Sequence, residues 1–205
     1  MTKIKICGNT RKEDVDLAVA LGVDLLGFIF GPSKRQIDVE QARQLVADVP
    51  DTIERVGVFV HEPTEVIERA VDACRLTAVQ IYRPITPEDR ELGVTLMPVL
   101  RVRNGEDVNL LSFESTDHPL LDTWASETAG GGTGQTWDWG KASRLARRYP
   151  ILVSGGLTPG NVGDAVERLR PWGVDVCSGV ESEPGRKDAE KLRAFVEAVR
   201  RVDPS

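Results

Sequence analysis

Residues 151–181 read ILVSGGLTPGNVGDAVERLRPWGVDVCSGVE, one strand–loop–helix–strand unit. Its strands, 151–154 and 174–177, are almost continuously apolar, as parallel strands buried on both faces are. Thr158-Pro159 supplies a helix cap followed by a proline suited to a first turn. Outward from this unit, six more such runs are predicted as strands: 3–7, 25–30, 55–60, 78–82, 96–100 and 119–122. The mean spacing is roughly 26 residues, the size of a compact βα unit. Thr10-Arg11-Lys12-Glu13 and Asp38-Val39-Glu40-Gln41 fit capping boxes ahead of helical patterns. Asp188 is placed to cap a last helix carrying Leu192, Phe195, Val196 and Val199 on one face. The weakest helical pattern lies in 101–118, which contains Asn104-Gly105.

Eight alternations admit a closed barrel or a doubly wound sheet. The first strand is not followed by the glycine fingerprint of dinucleotide-binding sheets, which favours the barrel. The expected fold class is therefore α/β, a single (β/α)8 TIM barrel occupying residues 1–205 as one domain.

The 205 residues are 40% apolar and 28% charged, with a net charge of −6. That balance argues against a nucleic-acid partner, while leaving room for a local anion pocket. No apolar run approaches the length of a membrane span, and the start reads as a strand without a signal peptide's apolar stretch. Cys7, Cys74 and Cys177 are widely spaced, which points to reduced thiols and a cytoplasmic protein. With no CxxC pair and only His61 and His118, no metal site is expected.

In such barrels the chemistry sits where strands end. Those positions give Cys7, residues 31–35, His61, Tyr82-Arg83, Asp122, Ser154-Gly155-Gly156 and Cys177-Ser178-Gly179. The two Ser-Gly loops follow consecutive strands and are expected side by side, their glycines letting N–H groups approach a phosphate. Residues 130–134, Gly-Gly-Gly-Thr-Gly, are either a lid or a linker. Cys7 taken alone reads first as a packed small side chain, with an acidified base as the alternative. Asp122 ends an apolar run, where burial raises a carboxyl pKa and suits a general acid. Arg35 is either a solvated charge or a planar fork for a carboxylate. His118 precedes its strand, Cys74 reads as core, and Trp137 and Trp139 as packing residues.

At these residues the chain resembles the phosphoribosylanthranilate isomerase family, from Lys3 to about Val199. The motifs are Lys5-Ile6-Cys7-Gly8, Gly27-Phe28-Ile29-Phe30 with Ser33-Lys34-Arg35, and Val56-Gly57-Val58-Phe59-Val60. Leu120-Leu121-Asp122, Gly131-Gly132-Thr133-Gly134 with Trp137-Asp138-Trp139, Ser154-Gly155-Gly156-Leu157 and Ser178-Gly179-Val180-Glu181 complete the set. The resemblance implies a (β/α)8 barrel running an Amadori rearrangement of a small phosphorylated substrate, without metal or organic cofactor. It also implies Cys7 as general base and Asp122 as general acid. Arg35 and Gln80 are expected to touch substrate, with Gly132, Gly134, Gly155, Gly156, Ser178 and Gly179. No nucleic-acid or membrane partner is expected, and the chain is taken as a monomer or homodimer.

Two departures stand out. Tyr82-Arg83 occupies the place where the family usually shows His-Gly, and Cys177 stands where serine is common. Because strands one and eight adjoin in a closed barrel, Cys7 and Cys177 are expected to be close enough for oxidation to join them. Other phosphosugar barrels are expected to carry lysine, glutamate or metal-binding histidines at the strand ends, and no strand end here carries lysine. A non-catalytic phosphate-binding barrel would leave the pairing of Cys7 with Asp122 a coincidence.

Overall fold

The computed structural model describes residues 1–102, 112–123 and 138–203. Eight parallel strands close on themselves in chain order: β1 Lys3–Ile6, β2 Leu25–Ile29, β3 Glu54–Phe59, β4 Ala78–Ile81, β5 Thr95–Val102, β6 Leu120–Thr123, β7 Leu152–Val153 and β8 Gly173–Val176. Each lies within a residue or two of its expected place. The closing pair is β1 with β8, in a register that sets Lys5 opposite Asp175 and Ile6 opposite Val176.

Around the barrel run α1 Lys12–Ala20, α2 Val39–Val46, α3 Thr64–Cys74, α4 Ser143–Arg148, α5 Val162–Leu169 and α6 Ala189–Val202. Asp38 forms the expected capping box with Gln41, and the Asp188 carboxylate accepts the Glu190 and Lys191 N–H groups. Two expected caps are corrected. Thr10 does not cap α1: its hydroxyl donates to Gly185 O, and the helix starts after Arg11 with no side-chain cap. Thr158-Pro159 lies in a turn, held by the Thr158 N–H to Asn161 Oδ1 hydrogen bond, and α5 begins only at Val162.

The expected alternation also loosens in two places. Residues 88–91 after β4 form a 3₁₀ turn rather than an α-helix. After β8, the turn Ser178–Val180 and a hairpin, β9 Glu181–Glu183 with β10 Arg186–Lys187, precede α6. The weak pattern around Asn104-Gly105 lies outside the described residues.

The outer core sits between strands and helices. On α6 it takes Leu192, Phe195, Val196 and Val199, a stripe at i, i+3, i+4 and i+7. Burying each such side chain contributes about 1.5–3 kcal/mol. The inner core is a plug of Leu25, Val56, Ala78, Met97, Leu120 and Leu152 from consecutive strands.

Strand side chains alternate faces with a period of two. Stepping two residues from this plug toward the carboxyl end therefore reaches Gln80, Asp122 and Ser154, all on the inward face. The same step along β1 and β8, from the paired Lys5 and Asp175, reaches Cys7 and Cys177.

Candidate active site at the carboxyl end of the barrel

Cys7 and Cys177 stand one residue beyond the paired Ile6 and Val176, and their side chains share a hydrogen bond. That bond does most to lower the Cys7 thiol from its ordinary 9.0 to about 7; burial opposes it, and the Lys5 ammonium assists. The same contact, with burial, pushes Cys177 well up, so Cys177 keeps its proton; its Sγ also donates to Glu181 Oε1 at 3.9 Å. Cys74, by contrast, is buried on α3, where desolvation raises it to about 11, in keeping with a core role.

Asp122 faces inward from β6. Burial, followed by repulsion from Asp175, raises its carboxyl from 3.8 to about 6. The Thr123 N–H donates to Oδ1 at 2.8 Å and the Tyr82 hydroxyl to Oδ2 at 3.4 Å, both favouring the charged form. Gln80 Nε2 in turn reaches the Tyr82 hydroxyl at 3.4 Å, while Gln80 Oε1 is buried without a hydrogen-bond partner. The Arg101 guanidinium lies 5.1 Å from the Tyr82 ring centre. Tyr82 thus belongs to the site. Arg83 turns away and clamps the buried Asp89, with Nη2 to Oδ1 at 2.8 Å.

Arg35 is not a solvated charge. Its Nε and Nη2 embrace the Glu181 carboxylate, and the buried Lys187 ammonium adds a contact at 3.1 Å to Glu181 Oε1. Lys187 also donates to the carbonyls of Cys7 and Cys177, tying the ends of β1 and β8 together.

The two Ser-Gly loops do lie side by side: a methyl built on Gly179 would sit 1.9 Å from Leu157 O. Gly155, at φ +87, packs so tightly on β6 that a methyl there would lie 2.1 Å from Thr123 Oγ1. Ser154, however, turns its hydroxyl inward to Asp175 rather than toward the loops. Gly132, Gly134, the glycine stretch around them and Trp137 lie outside the described residues. Trp139 is buried in the outer core. His61 is exposed, and His118 packs edge-on against Trp172 at 4.5 Å, away from the site.

The sequence reading passed over Lys5, Asp175 and Lys187. A signal for the first two was present: opposite charges at inward positions of two strands that must adjoin when the barrel closes. Lys187 carried none, since only the β9–β10 hairpin folds it back under the site.

The sequence model for N-(5'-phosphoribosyl)anthranilate (PRA) isomerase matches residues 4–198. The chain belongs to the phosphoribosylanthranilate isomerase family. It is 42% identical over 199 residues to the N-(5'-phosphoribosyl)anthranilate isomerase of Pelobacter propionicus, covering 96% of this chain and 94% of that protein. The crystal structure of the family member from Thermotoga maritima superposes with a TM-score of 0.88 at 36% identity, covering 98% and 99% of the two chains. A second crystal structure, in complex with reduced 1-(o-carboxyphenylamino)-1-deoxyribulose 5-phosphate, gives a TM-score of 0.85 at 34% identity over 98% and 99%. The barrel, the isomerase family and the succession of strand-end motifs therefore agree. Among the described residues no helix is long and apolar enough to cross a membrane.

Proposed function

We propose that the chain converts N-(5-phosphoribosyl)anthranilate to 1-(2-carboxyphenylamino)-1-deoxyribulose 5-phosphate, with Asp122 as general acid and Cys7 as general base. The observation that carries the residue roles is the opposite displacement of two inward groups: a carboxyl raised to about 6 and a thiol lowered to about 7. Groups brought toward neutral pH from opposite sides in this way are suited to serve as an acid–base pair.

Asp122 gives its proton to the furanose ring oxygen as the C1–oxygen bond breaks, and the anthranilate nitrogen lone pair forms an iminium. The Cys7 thiolate then takes the proton from C2, and the C–H electrons form the enolamine. Loss of the enol proton and protonation at C1 give the ketose. Arg35 offers the substrate carboxylate the nitrogen that Glu181 leaves unused, and the paired loops at Gly155-Gly156 and Ser178-Gly179 offer N–H groups to the phosphate. The three free thiols fit a reducing compartment such as the cytoplasm.

The test is to supply N-(5-phosphoribosyl)anthranilate and follow its conversion, with Cys7→Ala and Asp122→Asn as controls. Conversion by the wild type and its loss in both variants support the reading. Wild-type turnover in either variant removes that residue from the mechanism, and no conversion by the wild type overturns the whole.

A further inference from the structure

Beneath the acid and the base lies an ion pair that the reaction does not touch. Lys5 Nζ is 2.7 Å from Asp175 Oδ1, the two side chains being 0% and 5% exposed. The Ser154 hydroxyl donates to the other carboxylate oxygen at 3.0 Å, so both oxygens are held. Removing two charges from water costs several kcal/mol per ion, and apolar side chains filling the same space commonly hold a fold as well or better. Stability alone does not account for the pair; its position does.

Lys5 and Asp175 are in register across β1 and β8, each two residues before a strand-end cysteine and on the same face. The Lys5 ammonium and the Cys7 sulfur converge on one point: a methyl built on Gly27 would lie 3.1 Å from Lys5 Nζ and 2.9 Å from Cys7 Sγ. Repulsion from Asp175 is, after burial, the main influence raising the Asp122 carboxyl. The pair is thus directed, cation toward the thiol and anion toward the carboxyl.

We propose that the Lys5–Asp175 pair is a positioning element, its ammonium end holding Cys7 as a thiolate and its carboxylate end keeping the proton on Asp122. The inference rests on the reading of Cys7 and Asp122 as base and acid. Other charges face the same groups. Cys7 also meets Cys177 and Lys187; Asp122 also meets Tyr82 and Arg101. None of these joins the two catalytic side chains through a single fully buried pair.

The experiment is alkylation by iodoacetamide across a pH series, read for each cysteine by peptide mass spectrometry. In the wild type, Cys7 is expected to label with a midpoint well below that of Cys74, whether or not salt is added. In Lys5→Met/Asp175→Asn, which removes both charges together, the Cys7 midpoint is expected to rise, by less than the roughly 1–3 pH units of losing an adjacent opposite charge alone, because the opposing Asp175 charge goes with it. In Asp175→Asn alone it is expected to fall, because Lys5 then acts unopposed. kcat is expected to drop in the double variant with KM little changed.

A Cys7 midpoint at the ordinary thiol value in the wild type overturns the proposal without any variant having to fold. So does a midpoint unmoved in folded variants. Labelling reads the sulfur without turnover, so its outcome is separate from that of the Cys7→Ala kinetics.

Discussion

The Arg35 guanidinium grips Glu181 with two nitrogens, Nε at 2.8 and 3.0 Å from the two carboxylate oxygens and Nη2 at 2.6 Å from one. The fork is therefore fixed before any ligand arrives, and among the described residues Nη1 has no protein acceptor. A planar group held in this way loses little freedom on meeting a second carboxylate. Arg35→Lys is expected to raise KM by about 10- to 100-fold, since a hydrogen bond to a charged group contributes about 1.5–3 kcal/mol. Glu181→Gln is expected to give a smaller rise, because the fork remains but loosens. Steady-state kinetics decide it: an unchanged KM in Arg35→Lys removes this residue from carboxylate recognition.

The displaced Cys7 and Asp122 also fix the shape of the pH profile. In their proposed roles Cys7 must be ionised and Asp122 protonated, yet the thiol is lowered to about 7 and the carboxyl raised to about 6. Below about 6, Asp122 holds its proton and kcat/KM rises with pH as Cys7 ionises. Above about 7, Cys7 is ionised and kcat/KM falls as Asp122 loses its proton, leaving a plateau between the two values. Removing the Tyr82 hydroxyl takes away a hydrogen bond to the charged carboxylate, so Tyr82→Phe is expected to move the lower breakpoint upward. A profile flat from about pH 5 to 9 would remove acid–base control from the rate.

Cys177 is the second thiol of the site, and its hydrogen bond to Cys7 brings the sulfurs together at the ends of adjoining strands. Neighbouring strands run roughly 4.8 Å apart, within the span of Cα atoms that a disulfide tolerates. Hydrogen peroxide is expected to oxidise the Cys7 thiolate to a sulfenic acid, and the Cys177 thiol then displaces water to form the disulfide. Activity should fall and return with dithiothreitol, while Cys177→Ser should lose activity without the recoverable, two-hydrogen-lighter species. Peptide mapping that finds no link between residues 7 and 177 after peroxide treatment sinks this expectation.

Much of the barrel was legible because parallel strands buried on both faces must be apolar throughout, which marks their bounds to within a residue or two. The candidate site was legible to the same extent, since strand ends are where such barrels place their chemistry. What escaped depended on contacts distant in sequence. Thr10 looked like a cap until Gly185, brought round by the β9–β10 hairpin, took its hydroxyl. Arg35 read locally as a solvated loop charge, the usual fate of arginine, because nothing local indicates that Glu181 folds back against it. Tyr82 looked like a loss of family character, yet its hydroxyl reaches Asp122 from just past the end of β4. No local pattern announces such pairings; they follow only once closure fixes which strand ends adjoin.

The crowding at Gly179 sets a last test, of the phosphate loops. A side chain there has nowhere to go: its first carbon would lie 1.9 Å from the Leu157 carbonyl oxygen, so the two loops must part for it to fit. Overpacking of this kind costs about 1–3 kcal/mol. Gly179→Ala is therefore expected to lower the unfolding midpoint in denaturant and to raise KM for the phosphorylated substrate about tenfold, the loss of roughly one good hydrogen bond to an anion. Inhibition by inorganic phosphate should weaken in parallel, because the damage falls on the phosphate subsite and not on Cys7 or Asp122. The discriminating result is the pairing of effects. Lowered stability with unchanged KM and unchanged phosphate inhibition would mean that the glycine serves packing alone, and that the loops beside it do not hold the phosphate.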